Sequence, residues 1–291
     1  MSAETITGVC WNVEHGVEVE AACDWVTQWS PDVVFWQELQ PGQEDDVQKW
    51  LGMIGYVAEP RPGSTNGNAL FVRDGGPFIL AREHRHPAAP DRHAPANIEV
   101  RLPRPDGTLT ERTLCLASVH LCHYSPTIRL AEADWFTTLT RPGRLALIAG
   151  DFNSYPAGAH VDWDKVTDRA FLANRTYPGM DGRRYIDDLP DRTLTTAGYV
   201  DAALWVAKHC GGAHRVLADT AGHRPDKAAQ GGPRRIDRVY LSDTLAPALT
   251  GFRVGAPKEL GGISDHMPLV FHLDRARLEE ALSAPVAQSV S

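Results

Sequence analysis

The chain has 291 residues, 43% of them apolar and 23% charged, the balance of an ordinary folded protein and not of a disordered one. Its formal net charge of −8 leaves no large positive field to draw in polyanions from a distance, which weighs against a protein that coats nucleic acid regardless of sequence. A nuclease is still allowed, because bound metal ions add positive charge at the one place where a phosphate must sit.

At the start of the chain, the polar residues 2–5 lead straight into an apolar run over 6–13, with no basic stretch followed by an apolar one. No secretory leader is expected. Residues 6–13 read as a strand. Ala22, Trp25, Val26 and Trp29 then follow at helical spacing and stop before Ser30-Pro31. Further strands are predicted over 33–36, 69–73, 98–102 and 113–121, and residues 69–121 read as consecutive hairpin strands. A helix is predicted over 128–139, ending before Arg141-Pro142-Gly143, with strands over 145–149, 236–241 and 269–273. Residues 82–95 and 209–235 read as long loops, which in compact domains tend to carry function.

This mixed order predicts a layered α/β domain with mixed sheets, not a regular doubly wound one. Each long loop is followed by strands that carry parts of the same polar pattern, so one domain is expected over residues 1–283, with a flexible tail over 284–291. No apolar run approaches the roughly 18 residues that span a bilayer. Cys10, Cys23, Cys115, Cys122 and Cys210 are odd in number and lack CxxC spacing, which fits reduced cytoplasmic thiols better than a disulfide frame or a zinc site.

Acids, amides and histidines recur where the predicted strands end. Asn12 and Glu14 follow Trp11, Glu38 follows Gln37, and His120 follows Val119; later come Asp151 and Asn153, Asp237, and finally Asp265-His266. Buried without partners, each would cost several kcal/mol, so convergence on one polar site at the C-terminal ends of the strands is expected. Hard oxygen donors such as Asn12, Glu14, Glu38, Asp151 and Asp265 suit Mg²⁺ or Mn²⁺. Such an ion keeps coordination positions open for phosphate oxygens. Arg85, in the basic stretch 82–93, and His123, just past His120, are candidates for substrate binding, although a solvated loop is the simpler account of the basic stretch.

Taken together and in order, several segments resemble the successive motifs of the endonuclease/exonuclease/phosphatase (DNase I-like) superfamily. They are Trp-Asn-Val-Glu at 11–14, Gln-Glu at 37–38, Gly-Asn-Ala-Leu-Phe-Val-Arg at 67–73, Val-His-Leu at 119–121, Gly-Asp-Phe-Asn at 150–153, Arg-Ile-Asp-Arg-Val at 235–239 and Ser-Asp-His-Met-Pro-Leu at 264–269. The resemblance runs from residue 6 to residue 272. It implies a four-layer α-β-β-α sandwich with two mixed β-sheets, and a divalent-metal-dependent phosphoesterase that attacks a phosphodiester or phosphomonoester in line with activated water.

By position, the resemblance makes Glu38 the principal metal ligand, with Asn12, Glu14 and Asp265 completing or flanking that site. It makes Asp151 the group that orients or deprotonates the attacking water, with or without a second metal, and gives Asn153 a phosphate oxygen to bind. His266, held by Asp237, would be general base or cationic phosphate clamp. His120 matches the second histidine of the DNase-like branch. There that histidine pairs with a glutamate, whereas Asn68 stands nearest here and is expected to face the site, as in phosphatase-like and sphingomyelinase-like branches.

Other readings stay open at this point: a DNA or RNA endonuclease or exonuclease, an enzyme using the same metal for non-hydrolytic chemistry on a metabolite, and a binding protein that has lost catalysis. The negative charge leans toward a compact phosphorylated substrate over long duplex DNA. Neither a membrane anchor nor an obligatory protein partner is expected.

Overall fold

The computed structural model describes residues 4–64, 66–87 and 92–285; most of the expected tail, part of the expected loop at 82–95 and residues 1–3 of the expected leaderless start lie outside the described residues. The strands are β1 (Thr5–Asn12), β2 (Val33–Leu39), β3 (Met53–Val57), β4 (Gly67–Arg73), β5 (Ile79–His84), β6 (Ala96–Arg101), β7 (Leu114–His120), β8 (Leu145–Asp151), β9 (Thr176–Pro178), β10 (Arg184–Ile186), β11 (Tyr199–Asp201), β12 (Asp237–Ser242), β13 (Leu249–Val254) and β14 (Leu269–Asp274). The helices are α1 (Val19–Thr27), α2 (Glu44–Leu51), α3 (Pro126–Phe136), α4 (Arg169–Asn174), α5 (Leu189–Thr196), α6 (Ala202–His209), α7 (Ala213–Val216), α8 (Pro257–Leu260) and α9 (Arg275–Ser283).

Two six-stranded sheets result, ordered β13-β14-β1-β2-β4-β3 and β11-β12-β8-β7-β6-β5. Each is antiparallel except for one central parallel pair, β1 with β2 in the first sheet and β7 with β8 in the second. Parallel neighbours need a crossover, and the crossovers contain α1 and α3, the two helices whose spacing is visible in the sequence. The mixed sheets follow from this.

Alternation along the strands sorts the core. In β7 and β8, Leu114, Leu116, Leu145 and Leu147 join the main cluster shared with the first sheet, while Cys115, Ala117, Val119, Ala146 and Ile148 pack on the other face with Phe136 of α3 and Leu194 of α5. On the far side, Trp25 of α1 meets Trp11 of β1 edge to face at 5.3 Å. Buried aromatic side chains such as Phe35, Trp36, Phe71 and Phe271 each stabilise the fold by roughly 1.5–3 kcal/mol. One polar link crosses the inner core: Gln37 Nε2 donates to Ser118 Oγ at 2.8 Å, and Ser118 Oγ donates to Trp36 O at 3.1 Å.

Three expectations need correction. Residues 82–84 form the end of β5, an edge strand on which Arg82 and Glu83 place charges that discourage pairing with another sheet. The segment 209–235 contains the short helix α7 and a single 3₁₀ turn at Pro225–Lys227. Asp237 and Asp265-His266 do not end strands: Asp237 opens β12 and the Asp265-His266 pair precedes β14. Both strands run antiparallel to a neighbour, so their beginnings meet the ends of β8 and β1. Cys10, Cys23, Cys115 and Cys122 are buried free thiols and Cys210 is an exposed one. Among the described residues, no helix is long and apolar enough to cross a membrane.

Candidate active site

The ends of β1, β2, β7 and β8 and the starts of β4 and β12 meet at one end of the sandwich, as the pairings Asn12–Gln37, Gln37–Asn68, His120–Asp151 and Asp237–Asp151 require. The Asp151 carboxylate is the point of convergence. Asn12 Nδ2 donates to Asp151 Oδ2 at 3.3 Å and to Glu38 Oε1 at 3.0 Å. His120 Nε2 lies 3.6 Å from the same Asp151 oxygen and 3.9 Å from Glu38 Oε1, and His266 Nε2 lies 3.9 Å from Asp151 Oδ2. Asp151 Oδ1, turned away, accepts from the Asn153 amide at 2.8 Å.

His266 Nδ1 donates to both oxygens of Asp237, at 3.0 and 2.9 Å, which fixes the ring's orientation. Burial opposes a charge on this imidazole, but Asp237, Asp151 and Asp265 outweigh it and raise the pKa to about 10. Burial works against Asp151 as well; His266, His120 and the Asn153 amide nonetheless hold its carboxyl below the usual range. Asp237 is pushed up by burial despite His266. An imidazolium thus stands among three carboxylates.

Backbone strain gathers here. Glu14, His15, Glu38 and Asn153 have φ of 48°, 58°, 66° and 50°, a region that costs a non-glycine residue about 1–3 kcal/mol. At Glu38 the β2–β4 register skips a residue, and this bulge turns the carboxylate into the site, where it accepts from Asn12 and from the His15 amide at 2.8 Å.

A model of the Endonuclease/Exonuclease/phosphatase family matches residues 9–266. The chain belongs to the endonuclease/exonuclease/phosphatase family. Solved structures with the same fold include a truncated Caenorhabditis elegans TDP2 (TM-score 0.58, 16% identity, covering 93% of this chain and 98% of that one). They also include a Bacteroides vulgatus endonuclease/exonuclease/phosphatase (0.61, 15%, 93% and 98%) and the Neisseria 3′ phosphatase NExo bound to product DNA hairpin (0.62, 17%, 92% and 99%). At these identities the likeness carries the fold alone. No curated protein matches the sequence.

In this endonuclease/exonuclease/phosphatase family member, Asn12, Glu38, His120, Asp151, Asp237 and His266 lie together, with Asp265 Oδ1 3.9 Å from His266 Nε2. Glu14 reaches the same end of the sandwich, but both its oxygens are bonded by Arg224, one at 2.6 Å, and Oε2 also accepts from the Asp265 amide at 3.1 Å. Asn153 donates to Leu121 O at 3.1 Å and accepts from Arg175 Nη2 at 2.6 Å, which leaves one amide hydrogen. Asn68 donates to Ala94 O at 2.8 Å, while its buried Oδ1 has no hydrogen-bond partner among the described residues. His123 follows β7 with its side chain exposed, and its carbonyl accepts from Arg175. Arg85 is not brought to the site: its guanidinium is exposed and pairs with Glu83 at 3.2 Å.

Several contributors carried no signal in the sequence. Thr220 Oγ1 accepts from the Ile236 and Asp237 amides, and Lys227 Nζ lies 3.6 Å from Asp265 Oδ2. With Arg224, these come from the long segment 209–235, whose length was the only hint. Arg175 is fully buried, and burial and Arg129 bring its pKa down to about 9. Gln37 and Ser118 could have been noticed as polar interruptions in apolar strands.

Proposed function

We propose that this chain is a divalent-metal-dependent phosphoesterase that hydrolyses a compact phosphodiester or phosphomonoester, acting as one domain over residues 1–283. The observation that carries the reading is the convergence of Asn12, His120 and His266, drawn from both sheets, on Asp151 Oδ2, with Glu38 Oε1 beside Asn12 and His120. The donor set fits Mg²⁺ or Mn²⁺. Glu38 and Asp151 supply hard oxygens linked through a single amide, Asp265 lies at the same end, and the buried Asn68 oxygen is unpartnered. Among the described residues, Asp151, Asp237 and His266 each place a ligand-type atom within 4.8 Å of the others. His266 Nδ1 is already committed to Asp237, however, so Glu38, Asp265 and Asn12 are the preferred ligands.

When bound, the ion polarises the phosphoryl oxygens and balances the charge that builds on them. Asp151, anchored through Oδ1, keeps Oδ2 turned into the cleft to orient the attacking water. His266 holds a proton and clamps a phosphate oxygen through Nε2, and Asp237 keeps the ring in register. His120 Nε2, 3.6 Å from the same Asp151 oxygen, adds a second donor. Glu14 has a different task from the one expected of a ligand: its amide fixes Asn12 Oδ1 at 3.1 Å and its carboxylate fixes the Asp265 amide.

The compact substrate is supported by charge. The net charge is −8, and Arg224 and Lys227, at the same end of the sandwich, face Glu14 and Asp265. The test is turnover with Mg²⁺ or Mn²⁺ on phosphomonoesters, bis-p-nitrophenyl phosphate, RNA and plasmid DNA. Small esters should turn over and plasmid should not, and Asp151→Ala should lower the rate by about a hundredfold to ten-thousandfold. Turnover of none of them, or full activity in Asp151→Ala, would end the reading.

A further inference from the structure

A pocket of about 160 Å³ opens beside His120, walled by His86, His93, Ala94, His120, Trp135 and Phe136. Five aromatic rings stand in that wall, with Arg92 and Glu132 beside them. His93 lies parallel to His120, 5.0 Å away with 3° between planes, His86 meets Trp135 edge to face at 4.9 Å, and Trp135 meets Phe136 in the same way at 4.9 Å. Three separate segments supply these rings, the β5–β6 connection, β7 and α3, and the wall at Ala94 is pinned by the Asn68 amide at 2.8 Å. The pocket is therefore held open by its own frame.

Its size and lining limit what enters. A cavity of roughly 150 Å³ lined by apolar side chains holds one benzene ring, and a fused bicycle needs more room. Flat aromatic walls favour a planar guest that can stack or meet them edge to face. Burial and His120 push His93 down to about 3, so it faces the pocket as a neutral ring and asks no charge of the guest. The position matters most. His120 is shared between this pocket and the cleft, and its Nε2 lies 3.6 Å from Asp151 Oδ2, so a ring seated here is one ester linkage away from a phosphate held at Asp151.

We propose that this pocket is a subsite for a single planar aromatic ring borne by the phosphoester substrate. The inference rests on the phosphoesterase reading and narrows it from compact esters to those that carry one ring. A phenol-type ester group and a pyrimidine base share this chemistry.

The test uses uncharged probes, so that it needs neither metal nor turnover. The full chain is titrated in excess chelator with phenol, cytidine, adenosine and ring-free glycerol, and binding is followed by saturation-transfer NMR. Phenol or cytidine should show transfer to its ring protons and bind at least tenfold more tightly than glycerol and at least threefold more tightly than adenosine; the leader of the two identifies the source of the ring. Ala94→Leu, which fills the pocket, and Trp135→Ala, which removes one wall, should each weaken that ligand at least fivefold. Absence of transfer, or binding unchanged in both variants, overturns the subsite. Ring binding without turnover of any ester would keep the subsite and end the phosphoesterase reading, and turnover without ring binding would do the reverse.

Discussion

Glu38 at the end of β2 and His266 just before β14 reach the cleft from the same sheet, yet their loss should register in different measurements. Glu38 offers a carboxylate freed by a strained backbone, so Glu38→Ala should weaken Mg²⁺ or Mn²⁺ binding, read by calorimetric titration. His266 offers a proton held by Asp237, so His266→Ala should leave metal affinity nearly unchanged and lower kcat by about a hundredfold to ten-thousandfold. Equal loss of metal in both variants would show that the histidine belongs to the ligand set. Arg175 illustrates what a single residue can do without touching substrate. Its guanidinium ties the His123 carbonyl beyond β7 to the Asn153 side chain beyond β8, and so fixes the two loops that carry His120 and Asp151 onward.

Gly150 is required for the approach of β7 and β8. A β-carbon there would sit 1.8 Å from the Val119 carbonyl oxygen, so the glycine that opens Gly-Asp-Phe-Asn lets Asp151 stand beside His120. Gly150→Ala should cost about 2–3 kcal/mol in urea unfolding and should also reduce activity, because the clash lies in the strand that aims Asp151. Much of this was readable in advance. β1, β4, β7, β8, β12 and β14 announce themselves as apolar runs, and α1 and α3 by their spacing, so the mixed sheets and the acids at their ends follow from pattern. The direction of β12 and β14 was not readable, because a short apolar run looks the same in either sense and only its partner decides. The bulge at Glu38 was equally silent: it depends on β4 pairing with β2, a contact between distant residues. The pairing of Glu14 with Arg224 was silent for a similar reason, since the two lie 210 residues apart.

Stability should carry the imprint of His93 as a whole-molecule property. Its folded pKa of about 3 lies below the 6.5 of the free side chain, so the unfolded chain binds the extra proton first. Its contribution is fully present above pH 6.5 and is lost as pH falls from 6.5 toward 3. Thermal melting of the wild type should therefore drop more steeply across that window than melting of His93→Gln; parallel curves would show that His93 is protonated in the fold. The two sheets share one pattern of pairing, each with a central parallel pair, and Gln37 with Ser118 joins those centres. β14 lies inside the first sheet, between β13 and β1, although it is the last strand among the described residues. On the ribosome, β1 therefore waits with one edge bare while more than two hundred residues are made. The cleft gains His266 only just before that edge is closed, so the same late stretch of chain that completes the sheet also arms the site, and a half-made chain holds no working hydrolase.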